Sequence, residues 1–171
     1  MDDQSARIAT ICECIDHCFA FAIWCDDFVG YFDPEDMVWG LDRGVDLVSD
    51  ATRLQSFLAF RQLDDFFGGV KPKPDDLVAA DFGINVPDVL GDVGESLLTK
   101  DERTDINKGV AHLTDHLFLE PDSEVELQQI TSRSIPVFAR LVVALRALDG
   151  EGEAAHWLDK TEALITRGEA R

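Results

Sequence analysis

The sequence predicts an all-α protein: a bundle of four to five helices around one core, in a single domain over residues 1–171. Three observations predict it. Apolar residues recur at i, i+3, i+4 and i+7 over long windows, two capping boxes open two of those windows, and no segment shows the alternation of a half-buried strand. The chain is 171 residues long and 46% hydrophobic. A domain of that size can bury about 70% of the surface its unfolded chain exposes.

The elements follow in order. A first helix is expected from Ser5 to about Phe32. Its apolar positions Ile8, Ile11, Ile15, Phe19, Ala22, Ile23, Trp24 and Phe28 form a face wide enough for a central helix touched on several sides. The stretch Asp33-Pro34-Glu35-Asp36 stops it. A second helix runs from about Val45 to Phe67, with Leu47, Ala51, Leu54 and Leu58 as its stripe and Gly68-Gly69 as its stop. Residues 70–98, with Pro72, Pro74, Pro87 and several glycines, read as a long loop. Such a loop is either functional or packed as a lid over the core, here with a short helical turn near Asp75 to Ala80.

Thr99 and Glu102 make a capping box that opens a third helix, running to about Leu119 before Glu120-Pro121. Ser123 and Glu126 make a second box, opening a fourth helical stretch to Leu148 that Pro136 should kink or split. Asp149-Gly150 ends it. A last helix, about Glu153 to Arg167, packs Trp157, Leu158 and Leu164 or Ile165.

Charge narrows the function classes. The 34 acidic against 15 basic residues give a formal net charge of −19. Nucleic-acid affinity comes mainly from Lys and Arg neutralising phosphates, so RNA or DNA is an expected partner only through a local pocket. The acidity reads as adaptation to high salt, as solubility, or as a binding face for a basic protein. All four cysteines, Cys12, Cys14, Cys18 and Cys25, lie on the first helix, with Cys14, Cys18 and Cys25 on one stripe and Cys12 off it. Buried thiols at a helix contact are expected, rather than disulfides or a thiolate metal site. Met1, Asp2 and Asp3 do not resemble the start of a signal peptide, and Asp26-Asp27 interrupt the longest apolar run, so a cytoplasmic protein without membrane spans is expected.

One stretch reads like a site: DINKGVAHLTDH, Asp105 to His116. Ile106, Val110, Leu113 and Leu117 share the core stripe of that helix, and His112 lies about 120° away with Asp105, Lys108 and His116. A histidine there can bond a neighbouring helix, titrate near neutral pH, or move a proton. The catalytic candidates are His112, Lys108, Asn107 and Arg61. His112 and His116 are also spaced for two imidazoles on one metal, with Glu13 and His17 on the first helix. The repeated Glu-x-x-His of di-iron bundles is missing, and neither metal nor cofactor is expected. No nucleophile elbow and no phosphate-binding Gly-rich loop occur. A further cluster is drawn from Asp64, Asp65, Asp75, Asp76 and Asp81 against Arg61, Lys108 and His112. It reads as a polar staple pinning the 70–98 loop, or as a small-ligand pocket.

RQLDDFF (Arg61–Phe67), PDDLVAADF (Pro74–Phe82) and INKGVAHLT (Ile106–Thr114) resemble the successive signatures of a group of bacterial all-helical proteins. The Asn107-to-His112 segment also resembles the motif region of the HEPN superfamily. That resemblance implies a helical bundle, often dimeric, with many members acting as metal-independent RNases in defence and toxin–antitoxin systems. The family motif places an Arg four to six residues before the His. Here those positions hold Asp105, Ile106 and Asn107, and Arg103 lies too far back. A missing cation removes the main electrostatic help for a phosphorane transition state. The resemblance therefore implies a non-catalytic or repurposed HEPN-like bundle that binds a macromolecule; a protein partner is expected, with a basic protein (from the charge) and a second copy of the chain as options. A divergent RNase using His112, and an acidic mimic of nucleic acid, are the competing expectations.

Overall fold

The computed structural model describes residues 3–27, 39–68, 76–111, 127–149 and 152–169, with the backbone alone for 24–27, 39–50 and 108–111. Seven α-helices, and no strand, occur among the described residues. They are α1 (Asp3–Cys18), α2 (Ala20–Asp27), α3 (Trp39–Phe66), α4 (Val86–Leu90), α5 (Lys100–Ala111), α6 (Leu127–Asp149) and α7 (Ala155–Glu169). Short 3-10 turns at Ala79–Phe82 and Gly91–Val93 flank α4.

α1 packs against α3, α6 and α7, as a face that wide requires. Ile8, Ile11, Cys12 and Ile15 are all buried along it. Cys12 is off the cysteine stripe yet fully buried, because α7 covers that side of the helix. The centre of the core is aromatic. Phe138 of α6 meets Phe60 of α3 in a stacked pair and Phe19 in an edge contact, with ring centroids 6.1 and 5.9 Å apart.

Four expectations need correction. The single helix from Ser5 to Phe32 is two helices, broken at Phe19. α3 starts at Trp39 rather than Val45, and its buried stripe is Phe57, Phe60, Leu63 and Phe67. Ala51 and Leu58 are exposed and Leu54 only half-buried, so these three positions lie off the core, while the side chain of Leu47 is outside the described residues. Both patterns have helical period, and the larger apolar area of the phenylalanines decides which faces inward. The helical turn of the long loop is the 3-10 turn at Ala79–Phe82, followed by α4 and a second 3-10 turn. Pro136 does not split α6. The carbonyl it deprives of a donor belongs to Ser132, an exposed residue, so water can replace the missing N–H.

The Thr99–Glu102 capping box is formed: the Thr99 amide donates to Glu102 Oε2 at 2.7 Å and the Glu102 amide to Thr99 Oγ1 at 3.2 Å. The box at Ser123–Glu126 lies outside the described residues. α7 begins at Ala155 and buries Leu158 and Ile165, with Trp157 and Leu164 half-buried beside them.

Candidate functional site

Residues 76–98 lie against α3 and α6 with Ala79, Ile84, Val89, Leu90, Leu97 and Leu98 buried. Apolar contact alone leaves the irregular backbone of such a segment without partners, and buried carbonyls and amides need them. Two arginines and one aspartate supply those partners, and a third arginine neutralises the aspartate.

Asp64, on the last turn of α3, sits in the same stripe as Phe57, Phe60 and Phe67 and is fully buried. Its Oδ1 accepts the Leu98 amide at 3.1 Å, and its Oδ2 takes the Arg103 Nε at 2.6 Å. Arg103 belongs to α5, so one carboxylate ties α3, the 76–98 segment and α5 together. On α6, Arg133 grips Glu102 through both terminal nitrogens, at 2.9 and 2.7 Å, and also donates to the Leu97 carbonyl at 3.1 Å. Burial pushes the Glu102 carboxyl up, but the Arg133 hydrogen bonds and the Thr99 cap outweigh it, leaving Glu102 below its ordinary value. Seven residues further along α6, Arg140 donates to the carbonyls of Val89 (2.7 Å) and Leu90 (2.9 Å), the open end of α4. Gly91 follows with φ +55, and a side chain there would meet the Arg140 guanidinium at 2.9 Å. Glycine therefore serves twice, for the turn and for the close approach.

The anticipated acidic cluster is only partly assembled. Arg61 is half-buried and acts on Asp65, as do Asp64, Arg103 and Asp76. Burial pushes the Asp65 carboxyl up, Asp64 and Asp76 add to the rise, and the two arginines oppose it. Asp81 does not join: it is exposed and accepts the Val78 amide at 3.4 Å. Asp75, His112 and His116 lie outside the described residues, and so does the side chain of Lys108. Asn107 is half-buried on α5, four residues after Arg103, and its buried Oδ1 has no hydrogen-bond partner among the described residues.

The residue that sequence reasoning passed over is Arg103. Counted from His112 it is too distant for the HEPN spacing, yet it is the cation that neutralises the buried carboxylate. A signal was present: an aspartate inside an aromatic stripe requires a cation.

Thiolate chemistry finds no support in the first helix. Burial raises the Cys12 thiol to about 11 and the Cys14 thiol to about 12, and pushes Cys18 well above its ordinary range. Among the described residues, no group of three His, Cys, Asp or Glu side chains could hold a metal ion. No helix of the described residues is long and apolar enough to cross a membrane. No family model, curated protein or solved structure matches this chain.

Proposed function

We propose that the chain is a cytoplasmic, non-catalytic, HEPN-like helical protein that works by binding a macromolecule, and that this partner is a protein with a basic surface. The observation that carries the reading is where the cations are spent. Arg103, Arg133 and Arg140 are turned onto the protein's own carboxylates and carbonyls. Arg146 pairs with Asp159 and Glu162, and Lys160 with Asp16. With 34 acidic residues against 15 basic ones, these intramolecular pairings leave the remaining cations far outnumbered by carboxylates. Such an excess of negative charge steers cationic partners and repels phosphate backbones. The all-helical architecture supports the HEPN-like part of the reading, and a role in defence or in a toxin–antitoxin pair is what that resemblance implies.

One observation favours a second reading, a divergent RNase. The Asn107 Oδ1, buried and without a hydrogen-bond partner among the described residues, lies on α5, five positions before His112 in the sequence. Wild type and His112→Ala, incubated with total cellular RNA with and without chelator, separate the two. A binding protein leaves the RNA intact in every sample. Metal-independent cleavage that disappears in a folded His112→Ala variant would replace the binding reading by the enzymatic one.

A further inference from the structure

The break at Phe19 has a cause that comes from another helix. In a continuous α-helix the Phe21 amide would donate to the His17 carbonyl, four residues back. Here the Ser56 hydroxyl of α3 stands between those two groups. Its oxygen accepts the Phe21 amide at 3.1 Å, and its proton goes to the His17 carbonyl at 3.0 Å. Ser56 is fully buried, and one donor and one acceptor are what a hydroxyl can supply to such a pair. The backbone on either side resumes its ladder. Phe19 N–H bonds to Asp16 in a tight three-residue step, and Ile23 N–H returns to the regular four-residue bond with Phe19. Insertion of a polar group into the i→i−4 ladder is an established cause of sharp helix kinks.

We propose that Ser56 is a wedge that selects between two states of the α1–α2 segment: bent, with the hydroxyl inserted, and straight, with the His17–Phe21 bond closed. Two features make a straight state accessible, and a third seats the bent one. The sequence from Ser5 onward carries an uninterrupted helical apolar pattern, with no proline or glycine at the break. Removing the hydroxyl leaves a donor and an acceptor that satisfy one another, so the straight state strands no backbone group. The bent state is seated by packing: Phe19 is buried against Phe138, and Gly168 of α7 leaves the room, since a Cβ there would come within 3.0 Å of the Phe19 ring. The bend lays α2 against α3 and α6, so the choice of state decides whether those contacts exist.

The test is the through-hydrogen-bond scalar coupling between the Phe21 amide nitrogen and the His17 carbonyl carbon, measured by NMR in wild type, Ser56→Ala and Ser56→Thr. Wild type and Ser56→Thr should show no coupling, and wild type should show a slowly exchanging Ser56 hydroxyl proton close to the Phe21 amide. Ser56→Ala should show the coupling. A folded Ser56→Ala without it would mean that the Phe19 seat alone sets the bend, overturning the proposal. Should Ser56→Ala fail to fold, wild type still decides: a His17–Phe21 coupling, or the lack of a protected Ser56 hydroxyl, would equally overturn it.

Discussion

Asp64 and Arg103 form a buried ion pair across the α3–α5 contact: the carboxylate is 1% exposed, and Nε and Nη2 of the guanidinium approach its Oδ2 at 2.6 and 2.5 Å. The remaining oxygen holds the Leu98 amide. A pair in this position is worth little against an apolar substitute, but breaking it strands a charge. Arg103→Met should therefore destabilise the protein by about 3 kcal/mol, the lower end of the range, because the Arg103 side chain is 23% exposed and water reaches it. Adding Asp64→Leu should recover part of that loss, not all, since the Leu98 amide then lacks an acceptor at a cost of about 1–3 kcal/mol. Urea midpoints of the single and double variants measure both.

Arg140 addresses the segment at its other end. Arg140→Ala removes two donors from the end of α4 and should cost about 1–3 kcal/mol. Native-state hydrogen exchange should quicken across Val86–Val93 more than across α1 or α7, with helix content by circular dichroism little changed.

Glu102 and Asp65 make opposite contributions to the pH dependence of stability. The folded Glu102 carboxyl lies below its ordinary 4.5, so its contribution is fully present above that value and is lost as pH falls through the folded value. Glu102→Gln should cost about 1–2 kcal/mol at neutral pH, with the gap to wild type closing in acid. The folded Asp65 carboxyl lies above its ordinary 3.8, so its ionised form opposes folding at neutral pH. Asp65→Asn should gain up to about 0.5 kcal/mol there, and the gain should shrink as pH falls through the folded value and vanish below 3.8. Denaturation curves across this range check both signs.

Cys12, Cys14 and Cys18 should be inert while the protein is folded. With the Cys12 thiol raised to about 11, roughly one molecule in a thousand carries the thiolate near pH 8; burial also keeps the reagent from Cys12 and Cys18, and the half-buried Cys14 is protected by a thiol raised to about 12. Alkylation followed by peptide mapping should find these three unlabelled in the native protein and labelled in urea.

Much of the fold was legible because it rests on period and capping. The helix after the Thr99–Glu102 box, the wide face of α1 and the inward side of α7 follow from residue spacing within one element. What was not legible depends on partners distant in sequence. The break at Phe19 is made by Ser56, and neither segment marks it. The choice between the leucine stripe and the aromatic stripe of α3 depends on which neighbours arrive. At the candidate site, a staple for the 70–98 loop was readable from the crowding of aspartates near the end of the second helix. Its cation was not, because Arg103 was judged by its distance from His112 rather than by the face it shares with Ile106, three residues on. Arg133 and Arg140 carry no local signal, since their partners, the Glu102 carboxylate and the carbonyls of Val89, Leu90 and Leu97, are distant in sequence.

The binding proposed above joins an acid-rich chain, three of whose arginines are turned inward, to a basic protein surface. Its most direct test is fluorescence anisotropy of a labelled Lys/Arg-rich peptide titrated with the protein over a range of salt, beside a neutral peptide and a short RNA. Saturable binding of the basic peptide that weakens steeply as salt rises is expected, with no binding of the other two. Binding of the RNA in preference to the basic peptide would contradict the proposal.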